Sequence, residues 1–290
     1  MNYLLISLRP QQWIKNLFIF LPLLFGKKMF VFPFNLKTAL AFVLFSMISS
    51  AVYVVNDLFD IEKDKVHPTK RLRPLASGKL SISKAKTTAF ILCVTAFVLS
   101  LMVDRYFGAI IIIYFIFNLF YSKWLKQEVI IDVFCISGFF LLRILAGSVI
   151  AAVHMSHWIV IMIVLLALFL GFNKRRQELR LLEHKAAAHR QILAKYNVYF
   201  IDQMIAVITS SIVVFYALYT VDARTLKEFG TTHLLYSIPF VYYGLFRYLY
   251  LIHKIYLDGD PTRILLSDRK LQINLLLWVS VCVAVIYLGF

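Results

Sequence analysis

Nine long apolar runs, each set off from the next by charged or loop-forming residues, constrain this chain more than any other feature. A membrane-spanning helix needs roughly 20 mostly apolar residues. Runs of that kind lie near residues 13–32, 36–58, 84–103, 107–122, 130–150, 156–173, 200–222, 233–253 and 271–289. Pro22, Lys27 and Lys28 interrupt the first, part of which is expected to lie in the membrane interface. The chain is 61% hydrophobic and 16% charged, whereas soluble chains carry about 25% charged residues. The expected fold is therefore all-α: a polytopic membrane bundle of about nine transmembrane helices, forming one integral-membrane domain over residues 1–290. A soluble globular domain, a disordered tail and a disulfide scaffold are excluded. Cys93, Cys135 and Cys282 sit inside apolar runs without CxxC spacing, so neither a disulfide nor a zinc site is expected. No cleavable signal is expected at the N-terminus.

A net charge of +16 would suggest nucleic acid in a soluble protein. Here position matters more. With the N-terminus in the cytoplasm, 23 of the 31 Lys and Arg residues fall on the cytoplasmic side and six on the other. That asymmetry predicts an N-inside, multi-pass protein of the cell's inner (plasma) membrane, with the remaining attraction directed at anionic lipid. No nucleic-acid partner is expected. Two cytoplasmic segments, about 59–83 and 174–199, are long and polar, while the outer connections are short. Any chemistry should face the cytoplasm.

The strongest local signal ends the second run, where Asn56-Asp57-Leu-Phe-Asp60-Ile-Glu62-Lys-Asp64 emerges from apolar sequence. Asp57, Asp60 and Asp64 are spaced i, i+3, i+7, which on one continuous helix places three carboxylates on a face with Asn56 beside them. Clustered carboxylates repel and need a cation near a membrane. Mg²⁺ is the natural choice, since it binds through one or two carboxylates plus substrate phosphates. The alternative is a solvated helix end whose acids pair with Lys63 and Lys65. Directly downstream runs His67-Pro68-Thr69-Lys70-Arg71-Leu72-Arg73-Pro74. A basic loop beside an acidic metal cluster suits a substrate with several phosphates, the ion bridging some oxygens and arginine forks taking others.

On these residues the chain resembles the UbiA-type membrane prenyltransferase superfamily, and within it the decaprenyl-phosphate phosphoribosyltransferase branch. The carrying features are Arg9-Pro10-Gln-Gln-Trp13-Ile-Lys15-Asn16, the Asn56-to-Asp64 element and the His67-to-Pro74 loop. Further matches are Tyr121-Ser122-x-x-Leu125-Lys126, Asp132 opening the fifth run, and Lys174-Arg175-x-x-Glu178-Leu179 after the sixth. Ordinary members of the superfamily carry a second aspartate-rich motif at this last place. Here Asn173-Lys174-Arg175-Arg176-Gln177-Glu178 stands instead, and replacing metal-binding carboxylates by cations suggests that phosphate is held directly there.

The resemblance implies transfer of a phosphoribosyl group from 5-phosphoribosyl diphosphate to a polyprenyl phosphate, with Mg²⁺ on Asp57, Asp60 and Asp64. It further implies that Lys126, Lys174 and Arg175 place the lipid phosphate, with Asp57 and Asp60 catalytic. Lys70, Arg71 and Arg73 would hold the donor phosphates, and Lys15, Asn56, Tyr121, Ser122, Asp132, Arg143 and Glu178 would line the substrate site. The sequence leaves a homo-oligomer open. A prenyltransferase using a prenyl diphosphate, and a transporter without chemistry, stay open as other classes.

Asp132 and Arg143 are eleven residues apart, three helical turns and about 20° off register, so both should face one side of their helix. An unpaired arginine deep in an apolar run costs several kcal/mol. Arg143 is therefore expected either to line the inner end of the cavity or to make structural hydrogen bonds. The segment Arg175 to Lys195 lacks Gly and Pro and reads as a cytoplasmic helix.

Overall fold

The computed structural model describes residues 3–66, 70–181, 195–254 and 261–289. Among these, every regular element is helical. Seven helices are long and apolar enough to cross a membrane: Phe34–Phe59, Ile82–Val103, Arg105–Lys123, Ile131–Ala151, His157–Leu181, Val198–Val221 and Arg269–Leu288. They coincide with seven of the nine apolar runs, and the chain is a multi-pass membrane protein. The other two runs are broken differently. The first folds as a 3-10 segment, Pro10–Phe20, followed by a short helix, Leu21–Phe25. The eighth forms a 3-10 turn, His233–Ser237, leading into the helix Ile238–Lys254.

The chain divides into two compact units. In the first, residues 1–126 and 142–154, Phe34–Phe59 is the central element and packs on Ile82–Val103, on Arg105–Lys123 and on the 3-10 segment. Its buried face mixes Ala41, Leu44, Phe45, Ile48 and Ala51 with three buried hydroxyls, Ser46, Ser49 and Ser50. The hydroxyls have a purpose. Asn16 Nδ2 donates to Ser46 Oγ and Ser49 Oγ at 3.0 and 3.2 Å, Trp13 Nε1 donates to Ser50 Oγ at 2.9 Å, and Ser50 Oγ donates to the Leu8 carbonyl at 3.0 Å. Such contacts are what join helices inside a bilayer, where apolar burial gives no preference for protein over lipid. These bonds satisfy a segment that is too short and proline-interrupted to run on as one α-helix.

Gly147 lets the 3-10 segment approach closely, since a Cβ there would stand 2.0 Å from the Ile19 carbonyl oxygen. Lys28 Nζ donates to the carbonyls of Ala151 and Ala152 at 2.9 and 2.8 Å, capping the C-terminus of Ile131–Ala151. Asp104 ends Ile82–Val103 and starts the next helix, its Oδ1 accepting from the Tyr106 and Phe107 amides at 2.8 and 3.0 Å.

The second unit comprises residues 127–141 and 155–290. His157–Leu181 and Val198–Val221 pack together along a core that includes Val133, Phe169, Phe172, Ile201, Ile205, Leu251 and Ile264. Gly171 fits directly against Val133. Arg269–Leu288 packs on Ile238–Lys254 and begins at Asp268, whose Oδ1 accepts from the Leu271 amide at 2.7 Å. Arg247 Nη2 donates to Asp268 Oδ2 at 2.7 Å, so Arg247 is a structural anchor at a helix start.

That hydrogen bond holds the Asp268 carboxyl below the usual range. A depressed folded-state pKa gives stability that is present above about pH 4, the unfolded value, and is lost as pH falls through the folded pKa. Asp268→Ala is expected to lower stability by about 1 kcal/mol at pH 7, the usual worth of a helix cap. Thermal unfolding of both proteins at pH 7 and pH 3 checks it: the difference should shrink at the lower pH.

The large side chains left exposed on the protein, among them Phe90, Ile91, Val94, Val98 and Met102 on Ile82–Val103 and Leu275, Leu276 and Leu277 on the last helix, are those a bilayer covers. The expected cytoplasmic helix is described only to Leu181, as the continuation of His157–Leu181; its remaining residues, 182–194, and His67 to Thr69 of the basic loop lie outside the described residues.

Candidate active site

Each unit carries one cluster of ionised side chains. In the first, the expectation of one helical face bearing three aspartates does not hold. Phe34–Phe59 stops at Asp60, which has φ −101° and ψ 9°, and a separate short helix, Ile61–Lys65, carries Asp64. The break separates the carboxylates into a pair and a single. Asp57 and Asp64 are both buried and share one guanidinium: Arg73 Nη1 donates to Asp57 Oδ1 at 3.0 Å and to Asp64 Oδ2 at 2.6 Å. Asp60 lies apart from them, facing Lys126, whose Nζ is 3.3 Å from its Oδ2. Lys65 pairs with Glu62 at 2.7 Å on the surface rather than with these aspartates.

A second arginine completes the pair. Arg9 Nη2 donates to Asp57 Oδ1 at 2.5 Å, with the guanidinium 4.9 Å from the centre of the Tyr53 ring. Arg9 adopts a left-handed conformation, φ 53°, where the chain turns from the short helix Tyr3–Leu8 into the proline-led 3-10 segment. Arg9 opens the motif that carries the family resemblance, yet nothing in the spacing of residues 9 and 57 announces this contact. Asn56 is held from the next helix pair, its Oδ1 accepting from Ser122 Oγ at 2.7 Å. Tyr121 lies beside Ser122 at the end of Arg105–Lys123, Lys70 and Arg71 lie in the 3-10 turn Lys70–Leu72, and Lys15 lies in Pro10–Phe20.

Hard carboxylate oxygens are suitable donors for a divalent ion, and Arg73 Nη1 already bridges two of them as a cation. Among the described residues, no three His, Cys, Asp or Glu groups converge on one point. The fit is therefore to an ion bound by the Asp57 and Asp64 oxygens, with its remaining positions filled by water or substrate phosphate.

Deeper in the same unit, Arg143 is buried and donates through Nε to Asn16 Oδ1 at 2.8 Å and through Nη2 to the Tyr114 hydroxyl at 3.0 Å. Its guanidinium also lies over the Phe45 and Tyr114 rings, at 5.2 and 5.0 Å. Arg143 thus joins four elements through hydrogen bonds and cation–π contacts. The serine–asparagine network reaches it through Asn16.

The second unit's cluster is centred on Asp132, which is fully buried. Arg175 Nε donates to Asp132 Oδ2 at 2.5 Å, and Arg175 Nη1 donates to Glu178 Oε2. The other Asp132 oxygen accepts from the Tyr196 hydroxyl at 2.8 Å, and that hydroxyl accepts from the Ile130 amide at 2.7 Å. Burial pushes the Tyr196 hydroxyl's pKa up, which keeps it a proton donor to the carboxylate. Ile130 has φ 70°, a costly conformation for a β-branched residue, and the tyrosine fixes its amide. Sequence reasoning missed Tyr196, for a lone tyrosine carries no spacing signal.

Arg175 is thus occupied by two carboxylates and 99% removed from solvent, whereas Glu178 is 26% exposed at its side chain. Lys174, one residue before, is half-buried. Arg176 pairs with Asp202, and Gln177 Nε2 donates to the Ile252 carbonyl at 2.8 Å. So the basic string after the sixth run divides its labour, Arg175 being committed to the buried Asp132 and Arg176 to the partly exposed Asp202.

The model of the UbiA prenyltransferase family matches residues 17–267. The chain is 31% identical to the decaprenyl-phosphate phosphoribosyltransferase of Mycolicibacterium smegmatis, over 97% of this chain and 91% of that protein. It is 32% identical to the protein of that name from Corynebacterium glutamicum, over 97% and 86%. Among solved structures it resembles a UbiA homolog from Archaeoglobus fulgidus bound to GPP and Mg²⁺, with TM-score 0.73 and 18% identity over 98% of this chain and 99% of that one.

Proposed function

The chain belongs to the UbiA prenyltransferase family, and from that premise we propose that it transfers the 5-phosphoribosyl group of 5-phosphoribosyl diphosphate to a polyprenyl phosphate, with Mg²⁺, at the cytoplasmic face of the inner membrane. One observation carries the reading: the near-full-length likeness to phosphoribosyltransferases that act on a decaprenyl phosphate. The site chemistry agrees with it. After the sixth run the chain has Arg175 and Arg176, ion-paired with Asp132 and Asp202, where a prenyl diphosphate enzyme would have metal-binding aspartates.

The nine apolar runs support nine crossings and the Lys and Arg distribution an N-terminus inside, in which case the 3-10 segment and the helix Ile238–Lys254 would supply the two beyond the seven long helices. Asp57 and Asp64 would hold the ion, with Asp60 acting alongside through Lys126. When bound, Mg²⁺ would neutralise charge that develops on the departing diphosphate. Arg73, Lys70 and Arg71 would hold the donor's phosphates, and Arg73 is already placed at the carboxylates. The C1–O bond of the ribose breaks with its electron pair leaving on the diphosphate, and an oxygen of the lipid phosphate forms the new bond to C1. That nucleophile is already an anion, so no side chain needs to remove a proton from it. Lys126 and Lys174 would position the lipid phosphate, and Arg175 would act through Glu178, which it holds.

The test offers the purified protein labelled phosphoribosyl diphosphate with a polyprenyl phosphate and, separately, a labelled prenyl diphosphate with 4-hydroxybenzoate. Label entering lipid from the first pair alone is expected. Label in product from the second pair alone would assign the chain to prenyl transfer.

A further inference from the structure

The first unit's cluster balances its own charge. Asp57, Asp60 and Asp64 face Arg9, Arg73 and Lys126, one cation for each carboxylate. Exposure is graded within it: the Asp57 and Asp64 side chains are 4% and 5% exposed, whereas those of Arg9 and Arg73 are each 28% exposed. The arginines therefore reach inward from the more open side and occupy oxygens that a divalent ion would need. Arg73 Nη1, bridging Asp57 and Asp64 at 3.0 and 2.6 Å, stands where such an ion would bridge them.

We propose that Arg9 and Arg73 are exchangeable counter-cations: they neutralise Asp57 and Asp64 in the metal-free protein and pass to the donor's diphosphate when a divalent ion replaces them, so that ion and diphosphate bind together. The inference rests on the reading above, that this cluster takes a metal and a diphosphate.

Charge arithmetic favours joint binding. A divalent ion entering alone displaces two guanidiniums and leaves two excess positive charges in a half-buried site. A diphosphate entering alone meets arginines already engaged and brings about three negative charges beside three carboxylates. Entering together, the ion takes the carboxylate oxygens and the released guanidiniums fork onto phosphate oxygens, so each charged group keeps a partner. Arg9 is thereby a donor-binding residue, and its stacking on Tyr53 gives the guanidinium a surface along which to turn.

The experiment uses the whole chain in detergent, with Mn²⁺ as probe and inorganic diphosphate as the phosphate source, read by electron paramagnetic resonance of free Mn²⁺ as the difference from protein-free solutions of the same Mn²⁺ and diphosphate. Wild type should bind Mn²⁺ at least about 30-fold more tightly with diphosphate than without, a large but ordinary coupling. Arg9→Gln and Arg73→Gln, measured separately, should each tighten Mn²⁺ binding without diphosphate and lose most of the coupling. Equal Mn²⁺ affinity with and without diphosphate in wild type overturns the inference while leaving the metal site standing. So does a folded Arg73→Gln protein whose metal-only affinity equals that of wild type. Absence of Mn²⁺ binding under both conditions overturns the metal reading itself, and this inference with it.

Discussion

Replacing Asp132 by alanine is expected to cost about 3–5 kcal/mol of stability, the range for breaking a buried ion pair from one side. The reason is what remains. Arg175 keeps its charge at 1% exposure with only Glu178 of its two carboxylates, and the Tyr196 hydroxyl loses the acceptor it donates to. Ile130, at φ 70°, depends on the same hydroxyl for its amide, so the turn into Ile131–Ala151 loosens as well. Asp132→Asn keeps the volume and an acceptor for Tyr196 but not the charge, and should fall between alanine and wild type. Thermal unfolding in detergent, followed by monodisperse elution, measures both. An alanine variant within about 0.5 kcal/mol of wild type, the ordinary effect of a neutral surface change, would mean that the cluster carries no structural weight.

Asp57→Ala is expected to reduce transfer by a factor of about 1,000 or more, equivalent to roughly 4 kcal/mol of transition-state stabilisation. Asp57 is the carboxylate on which both arginines converge, and in the proposed reaction it holds the ion that receives the leaving charge. Its loss removes a metal ligand and disorganises two phosphate-binding groups at once. Glu62→Ala provides the contrast. Glu62 is an exposed acid two positions from Asp64, paired only with Lys65 among the contacts described, and such pairs contribute about 0–1 kcal/mol. Its variant should stay within about threefold of wild-type activity by the same conversion of energy to rate. Initial rates of lipid labelling at saturating donor measure both. An Asp57→Ala protein that retains a tenth of the activity would remove Asp57 from the site.

Much of the architecture is legible because bilayer thickness sets a helix length that a hydrophobic run must match: six runs match their helices within two residues, and the helix of the sixth continues to Leu181, eight residues past its run. The two that deviate are those where local chemistry competes with length. Pro10 and Pro22 break the first into a 3-10 segment and a short helix, and the eighth begins as a 3-10 turn. The acidic cluster was legible in composition and not in geometry. Helical periodicity assumes an unbroken helix, and the break at Asp60 sends Asp64 and Asp60 to different partners.

The same helix shows why spacing alone cannot choose partners. Asp132 and Arg143 share a register, yet Asp132 takes Arg175 and Tyr196 while Arg143 takes Asn16 and Tyr114. Each of those partners is at least 29 residues distant in sequence, and no periodic pattern reaches that far. Arg9 was visible as part of a motif, but its pairing with Asp57 spans 48 residues and becomes apparent only when the 3-10 segment is seen packed on Phe34–Phe59.

The proposed reaction cleaves one specific bond, at C1 of the ribose, and double labelling follows it. Phosphoribosyl diphosphate carrying one label in the ribose and another in the β-phosphate would be given to the purified protein with a polyprenyl phosphate and Mg²⁺. The ribose label is expected in the lipid and the β-phosphate label in released diphosphate, in equal amounts. The β-phosphate label in the lipid would show diphosphoryl transfer instead, and ribose label absent from the lipid would rule out phosphoribosyl transfer.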